Sequence, residues 1–192
     1  MKRIGITGGI ASGKSLVSRI ILTFGYPVFN SDSVAKELIN VDSQLKRQLI
    51  KLLGPEIFTE NKLNRKLVAD KVFKDQNLLE ELNALIHPLV REKFHDWCGK
   101  QKSTLVFNEA AILFETATYK RMDANILIVA PEEMRIKRAI KRDDTIREDV
   151  LIRMNKQWSD EKKISLADFI LVNDEKLPVI KQLEKIISEL EN

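Results

Sequence analysis

The chain has 192 residues, of which 44% are hydrophobic, and this is enough for a full core in one compact unit with room for small inserted subdomains. Lys and Arg number 32 against 28 Asp and Glu, and this mild excess, with no Lys/Arg-dense tail, fits an anionic small substrate as well as nucleic acid. The single cysteine, Cys98, excludes a disulfide framework or a cysteine metal cluster within one chain and predicts a buried or half-buried thiol.

The N-terminal residues predict a strand, a phosphate-binding loop and a helix, in that order. Arg3 to Thr7 is a short apolar run of strand type, and an apolar helical pattern runs from Leu16 to Phe24. Between them lies the pattern G-x4-G-K-S, formed by Gly8-Gly9-Ile10-Ala11-Ser12-Gly13-Lys14-Ser15. Glycines let the backbone curl with its N–H groups inward, and the following helix adds the positive end of its dipole. We therefore predict that the chain binds a nucleoside triphosphate.

Two side chains of this loop have predicted roles of their own. Lys14 can reach the β- and γ-phosphates, and the Ser15 hydroxyl can ligate Mg²⁺. The alternative, a glycine-rich turn with an incidental Lys-Ser, does not account for the strand before it and the helix after it.

A second short strand begins at Val28-Phe29 and ends at Asn30-Ser31-Asp32. Because the carboxyl ends of parallel strands share one edge of a sheet, Asp32 is expected near the γ-phosphate. It could orient or deprotonate an attacking hydroxyl, or hold a Mg²⁺ water. It could also simply cap a helix over residues 33–39, and the roles can coexist.

Residues 42–97 are predicted to be continuous helix material with few strand signals, and this block is longer than a crossover between two strands needs. We therefore predict an inserted helical substrate domain. Asn64 is the expected N-cap of a helix from Arg65 to Phe73, and Arg65 is either a solvated residue or an anion clamp. His87-Pro88 should kink or interrupt the next helix, and by its position alone His87 is more typical of a structural histidine.

The second half of the chain continues the alternation of strands and helices. The predicted elements are strands at 104–107, 124–129 and 169–172, a helix begun near Pro131 and ended by Asp143-Asp144, a short helix at 159–165 and a closing helix at 177–190. Glu109 follows the first of these strands and is either a ligand of a metal-bound water or a helix-start acid. Arg138 and Arg142 share one helix face, where they either neutralise a transferring phosphoryl group or form a solvated basic face. Asn173 could bind an adenine edge or form a strand-terminal turn.

Several separate stretches match one family in order and spacing. They are residues 5–15, Asp32, 63–65, 86–88, 112–115, 138–143, 153–157 and 167–174. On these stretches the chain resembles dephospho-CoA kinase over nearly its whole length. The resemblance implies that ATP phosphorylates the 3′-hydroxyl of the ribose of 3′-dephospho-CoA, giving CoA and ADP in the last step of coenzyme A synthesis.

The same resemblance implies an α/β fold: a P-loop NTPase-type parallel sheet of about five strands flanked by helices, with a helical CoA-binding insert and a helical lid. The expected division is a nucleotide-binding core of residues 1–41, 103–134 and 166–192, an insert of 42–102 and a lid of 135–165.

The site residues that the resemblance implies fall into two groups, with Mg²⁺ on Ser15. For ATP they are Gly9, Ile10, Ala11, Ser12, Gly13, Lys14, Ser15, Leu16, Arg138, Arg142 and Asn173; for dephospho-CoA they are Thr7, Asp32, Arg65, His87 and Glu115. Asp32, Lys14 and Arg138 are the implied catalytic residues, with Asp32 as the general base or hydroxyl-orienting group.

Two positions depart from the family pattern. Asn30 stands where the family usually has the first of two acids, so Asp32 is the one that remains, and Ala111 replaces a proline before Ile112-Leu113-Phe114-Glu115. The first change strengthens Asp32 as the catalytic carboxylate, and the second affects turn rigidity more than chemistry.

The sequence leaves two alternatives open. One is another small-molecule or nucleotide kinase on the same core, against which the block at 42–97 and the His87-Pro88 context argue. The other is a regulatory NTP switch, for which a guanine-reading N-K-x-D motif and an isolated basic arm are both missing from the sequence.

No apolar stretch is long enough to span a bilayer and the N-terminus does not resemble a signal peptide, so we expect a cytoplasmic monomer or small homo-oligomer with no nucleic-acid or membrane partner.

Overall fold

The computed structural model describes residues 1–60, 62–72 and 75–192, without the side chains of residues 65 and 76. Within these residues the strands are β1 (Lys2–Gly8), β2 (Val28–Asn30), β3 (Phe58–Thr59), β4 (Lys62–Leu63), β5 (Leu105–Glu109), β6 (Ala124–Val129) and β7 (Phe169–Val172). No helix of the described chain is both long enough and apolar enough to cross a membrane.

The helices of the described chain alternate with these strands and also fill the segment between β2 and β5. They are α1 (Lys14–Thr23), α2 (Ser31–Val41), α3 (Ser43–Leu53), α4 (Arg65–Val72), α5 (Gln76–Cys98), α6 (Glu132–Asp143), α7 (Arg147–Met154), α8 (Asp160–Ile164) and α9 (Val179–Glu191).

The core sheet has the strand order β2-β5-β1-β6-β7, and each described pairing in it is parallel. Ile4 of the central strand β1 lies opposite Phe107 of β5 and Ala124 of β6. Strand β5 is buried along its whole length, as parallel strands covered on both faces must be. The predicted α/β fold with a five-stranded parallel sheet is therefore confirmed. Because the strands are parallel, the loop after β1 shares one edge of the sheet with the ends of β2, β5 and β7.

The chain divides into two compact units, residues 1–30 with 101–192 and residues 31–100. In the first, apolar faces of α1 and α9 cover the sheet; its buried cluster contains Ile4, Ile6, Val17, Ile21, Phe107, Ile126, Ile128, Leu171, Leu183 and Ile187, among others. In the second, α2, α3 and α4 each contact the long helix α5. Its buried side chains include Leu38, Leu45, Leu49, Ile57, Phe94 and the thiol of Cys98, which was predicted to be buried or half-buried.

Two local expectations for residues 31–100 were wrong in part. Of the two outcomes predicted at Pro88, a kink or a break, the break is wrong: helix α5 continues through Pro88, and Val90, Phe94 and Cys98 form its buried stripe beyond the proline. A two-stranded hairpin, β3 and β4, lies where few strand signals were seen. Asn64 does cap α4, because its side chain accepts the Leu67 N–H at 3.1 Å; Phe73, the predicted end of that helix, lies outside the described residues.

Candidate functional site

The predicted phosphate-binding loop joins β1 to α1 as a tight turn. The N–H groups of Leu16 and Val17 donate to the Gly13 carbonyl at 3.0 and 3.1 Å, and the Ser12 N–H donates to the Gly9 carbonyl at 3.2 Å. Gly13 has φ of 104°, where a side chain is strained, and a Cβ there would lie 2.1 Å from the Asn173 amide nitrogen. Glycine is therefore required at position 13 on two independent grounds.

Lys14 folds back over this loop. Its ammonium donates to the Gly8 carbonyl at 2.8 Å and to the Gly9 carbonyl at 3.1 Å. A positive charge is thus held against the same few residues whose amides were predicted to bind phosphate.

Ser15 meets a buried carboxylate from the next strand of the sheet. Glu109, 5% exposed, ends β5; one of its oxygens accepts the Ser15 hydroxyl at 3.0 Å and the other accepts the Asn30 amide at 3.1 Å. Sequence reasoning placed Glu109 at this edge of the sheet but left it between two roles, a ligand of a metal-bound water and a helix-start acid. The structure joins it to Ser15 and Asn30 at the end of β5, on the edge that carries the loop.

These oxygens also suit a magnesium ion. Mg²⁺ takes hard oxygen ligands, usually one or two from carboxylates, and completes its shell with substrate phosphates and water. Ser15 supplies a hydroxyl and Glu109 a carboxylate, and the two groups are in hydrogen-bond contact at this edge of the sheet. Within the part of the chain that the structure describes, no group of three or more His, Cys, Asp or Glu side chains is placed to hold a metal ion.

Three side chains hold the loop through its backbone. Arg135 of α6 donates to the Ile10 carbonyl at 3.0 Å, Gln157 accepts the Ile10 N–H at 2.9 Å, and Asn173 donates to the Ser12 carbonyl at 2.8 Å. Asn173, predicted near adenine, lies at the end of β7 with 5% exposure and reaches the loop with its amide. Sequence reasoning named Arg135 only as one of the arginines of its helix and Gln157 only within the matching stretch 153–157, and it assigned neither to the loop. The available signal for Arg135 was weak: it sits beside Ile136 and Ala139 on the buried face of α6.

The two predicted phosphate arginines of α6 are held differently. Arg138 lies 3.4 Å from the Asn173 carbonyl and pairs with Glu175 at 2.8 Å, so it is at the carboxyl edge of the sheet. Arg142 is more exposed and pairs with Asp143 at 2.7 Å. Arg142 first, and then Arg153, hold the pKa of the Asp143 carboxyl well below its ordinary value. Arg138 is thus the arginine of this pair that the structure brings to the loop side of the sheet.

Two residues predicted to bind dephospho-CoA lie in the unit that contains the loop. Thr7 is fully buried in β1, and its hydroxyl makes no hydrogen bond within the described chain. Glu115 accepts the Trp158 N–H at 3.1 Å and pairs at 2.9 Å with Lys163, whose side chain is completely buried. The Lys163 contact is an ion pair rather than an aligned hydrogen bond, since its ammonium meets no acceptor of the described chain in hydrogen-bond geometry.

The other predicted substrate residues belong to residues 31–100. Asp32 is the second residue of α2, which begins directly after β2. Arg65 starts α4, but its side chain lies outside the described part of the structure. His87 is in the middle of α5; burial first, and the charge of Arg91 second, lower the pKa of its imidazole.

The sheet, the loop with its lysine, and the Ser15–Glu109 pair define a P-loop phosphotransferase of the kinase type. Comparison with known proteins makes this class specific. Residues 2–178 match the family model described as dephospho-CoA kinase. The chain is 37% identical to dephospho-CoA kinase of Bacteroides fragilis, over 98% of this chain and 92% of that protein, and 39% identical to that of Porphyromonas gingivalis, over 97% and 93%.

A solved structure agrees with these relatives. The crystal structure of TT1252 from Thermus thermophilus has a TM-score of 0.86 at 33% identity, covering 99% of this chain and 96% of that one. The chain therefore belongs to the dephospho-CoA kinase family, as the sequence motifs predicted. It is a kinase, and its activity is the ATP-dependent phosphorylation of dephospho-CoA in coenzyme A biosynthesis.

Proposed function

We propose that the loop after β1 binds the ATP phosphates and that Asp32 directs the ribose 3′-hydroxyl of 3′-dephospho-CoA at the terminal phosphorus. Phosphoryl transfer depends mainly on positioning and on stabilising the charge of the transferring group. The observation that carries the proposal is the ammonium of Lys14 held on the Gly8 and Gly9 carbonyls of a loop that matches the phosphate-binding pattern.

On the ATP side, the Lys14 ammonium and the backbone amides from Gly9 to Leu16 are proposed to hold the phosphate oxygens, except the Ile10 amide, which donates to Gln157. Lys14 would exchange its carbonyl acceptors for phosphate oxygens, which are stronger acceptors because they are charged. Arg138 is proposed to reach the same phosphates, supported by its place beside Asn173. Arg142 would have to leave Asp143 to do so, because that carboxylate now holds its guanidinium.

Ser15 and Glu109 are proposed to hold the magnesium ion that accompanies ATP. When bound, Mg²⁺ neutralises charge on the phosphate oxygens. The Ser15 hydroxyl, which now donates to Glu109, would turn its lone pair to the metal, and Glu109 would accept from a metal-bound water or from Asn30. Asn30, which stands where the family usually has an acid, would then stabilise the Glu109 carboxylate through its amide.

On the acceptor side, Asp32 is proposed to orient the 3′-hydroxyl and to take its proton. Asp32 follows Asn30 by two residues along the chain, and Asn30 contacts Glu109. A carboxylate that accepts a hydrogen bond from the attacking hydroxyl raises the negative charge on that oxygen as the bond to phosphorus forms. Arg65, His87, Glu115 and Thr7 stay predictions as dephospho-CoA contacts.

A coupled ADP-release assay tests the proposal. The purified protein is given ATP and Mg²⁺ with 3′-dephospho-CoA, shikimate, AMP or no acceptor. We expect ADP formation that depends on 3′-dephospho-CoA, and a CoA product whose new phosphate is on the 3′ oxygen by phosphorus NMR. ADP appearing at the same rate without acceptor, or a phosphate on another oxygen, would contradict the proposal.

We further propose that the protein works in the cytoplasm as a monomer or small homo-oligomer. The net charge of +4 is shared between 32 basic and 28 acidic residues, which gives no support for a nucleic-acid partner. Light scattering of the purified protein measures the oligomeric state, and a large assembly would contradict this part of the proposal.

A further inference from the structure

The direction of each loop amide follows from what holds the carbonyl on the other side of the same peptide bond. In a trans peptide the C=O of one residue and the N–H of the next lie in one plane and point in opposite directions, and the described chain has no cis peptide. A donor that fixes a loop carbonyl on one side therefore fixes the following N–H on the other.

The two peptides around Ile10 show this alternation. In the first, the Gly9 carbonyl accepts from Lys14 at 3.1 Å while the Ile10 N–H donates to Gln157 at 2.9 Å, so Lys14 and Gln157 lie on opposite sides of the backbone. In the second, the Ile10 carbonyl accepts from Arg135 at 3.0 Å, so the Ala11 N–H points away from Arg135. Ala11 then has φ of 57°, a conformation that a non-glycine residue adopts only when its surroundings impose it.

Arg135 is built into the protein interior. Its side chain is 8% exposed, and its guanidinium lies against Gly9, where an added Cβ would be 2.1 Å from one terminal nitrogen. The same guanidinium donates to Asp160 of α8 at 2.8 Å. The planar fork of arginine thus spans from the loop carbonyl to α8, which the single ammonium of a lysine cannot match in geometry.

The ion pair with Asp160 also limits what the charge of Arg135 can do. A carboxylate at 2.8 Å cancels much of its field, so a phosphate on the far side of the loop gains little from Arg135 as a cation. The contact with the Ile10 carbonyl, in contrast, acts on a peptide whose N–H belongs to the predicted phosphate-binding set. Orientation, and not charge, is therefore what Arg135 supplies.

We propose that Arg135 is a positioning residue, which holds the peptide between Ile10 and Ala11 so that the Ala11 N–H is turned toward the ATP phosphates. Asp160 supports it by keeping the guanidinium in place. The inference rests on the proposed phosphate-binding role of the loop. It adds a residue of α6 that does not itself touch the phosphates, and it connects α8 to the loop through one side chain.

The test compares Arg135→Met, Arg135→Lys and Asp160→Asn with wild type, using Arg121→Met as a matched control because Arg121 is an exposed arginine. Three quantities are measured: the melting temperature without ligand, the dissociation constant of tripolyphosphate by calorimetry, and KM for ATP and for dephospho-CoA. Tripolyphosphate probes the loop without the adenine.

For Arg135→Met we expect tripolyphosphate affinity to fall and KM for ATP to rise by about tenfold, which corresponds to loss of one well-placed charged hydrogen bond. KM for dephospho-CoA should stay within about twofold, and Asp160→Asn should show the same pattern at about two- to threefold. Arg135→Lys should remain defective although it keeps the charge, and Arg121→Met should match wild type.

The inference is overturned if Arg135→Met lowers the melting temperature but leaves both tripolyphosphate affinity and KM for ATP within twofold of wild type. Full rescue by Arg135→Lys also overturns it, because that result assigns the effect to charge. If Arg135→Met does not fold, the tripolyphosphate affinity and KM for ATP of Arg135→Lys and Asp160→Asn test the inference instead. Wild-type protein that neither binds tripolyphosphate nor forms ADP would overturn the proposed function itself.

Discussion

The buried pair of Glu115 and Lys163 allows a stability prediction that is independent of any ligand. Lys163→Met removes the ammonium and keeps most of the apolar stem, so Glu115 is left with the Trp158 N–H as its described partner. Removing one member of a buried ion pair costs about 3–5 kcal/mol, and the 14% exposure of Glu115 places this case near the lower end, about 3 kcal/mol. For a chain of this size, that is a fall of about 6–12 °C in Tm.

Urea denaturation followed by tryptophan fluorescence measures the effect, since Trp158 donates its backbone N–H to Glu115. The double variant Lys163→Met/Glu115→Gln should recover most of the loss, because neither charge is then buried alone. Lys185→Met is the matched control: Lys185 is 80% exposed and 3.9 Å from Glu189, so no measurable change is expected. A Lys163→Met midpoint equal to that of wild type would refute the reasoning.

The remaining predictions concern the site and the pH dependence. Lys14→Ala should weaken ATP binding by about 10–100-fold and abolish turnover, and an unchanged ATP titration would contradict the loop assignment. Asp32→Asn should lower kcat by about 10²–10⁴ with ATP affinity kept, and near wild-type turnover would move the base role elsewhere. Because burial lowers the pKa of His87, the unfolded chain binds a proton that the folded chain does not, so stability is full above about pH 6.5 and declines as the pH falls below it. His87→Gln should make the urea denaturation midpoint less dependent on pH between about pH 7 and 5, and replacement of the exposed His95 by Gln should leave that dependence unchanged. If the midpoints of wild type and His87→Gln changed with pH in parallel, burial of His87 would not contribute to the pH dependence of stability.

The sheet could be predicted because its strands carry their own signals. Strands β6 and β7 begin and end where the apolar runs do, and those runs are short and bounded by polar residues. The hairpin of β3 and β4 has strands of two residues each, too short to show any period. At Pro88 the local rule failed because the buried stripe of α5 continues beyond it through Val90 and Phe94, and packing of that stripe outweighs one lost backbone hydrogen bond.

In the site, too, the features set by neighbouring residues could be predicted, and those set by contacts between residues distant in sequence could not. The loop was predictable because its spacing encodes its own geometry, and Gly13 and Lys14 are found as that spacing requires. The residues that hold the loop were not, because Arg135 and Gln157 reach Ile10 across 125 and 147 residues of chain. Such contacts depend on how α6 and the segment before α8 fold back to the sheet, and no sequence period records that.

The sheet order also decides when the loop can form. Strand β1 is synthesised before the other strands of the sheet, but both of its neighbours, β5 and β6, come from the second half of the chain. Lys2 is separated from its partner Leu105 by 103 positions of sequence. Residues 31–100, in contrast, form a compact unit from one continuous segment of the chain. During synthesis the first strand therefore stays without its neighbours while the helical segment is completed, and the entropy of bringing such distant ends together slows assembly of the phosphate-binding edge.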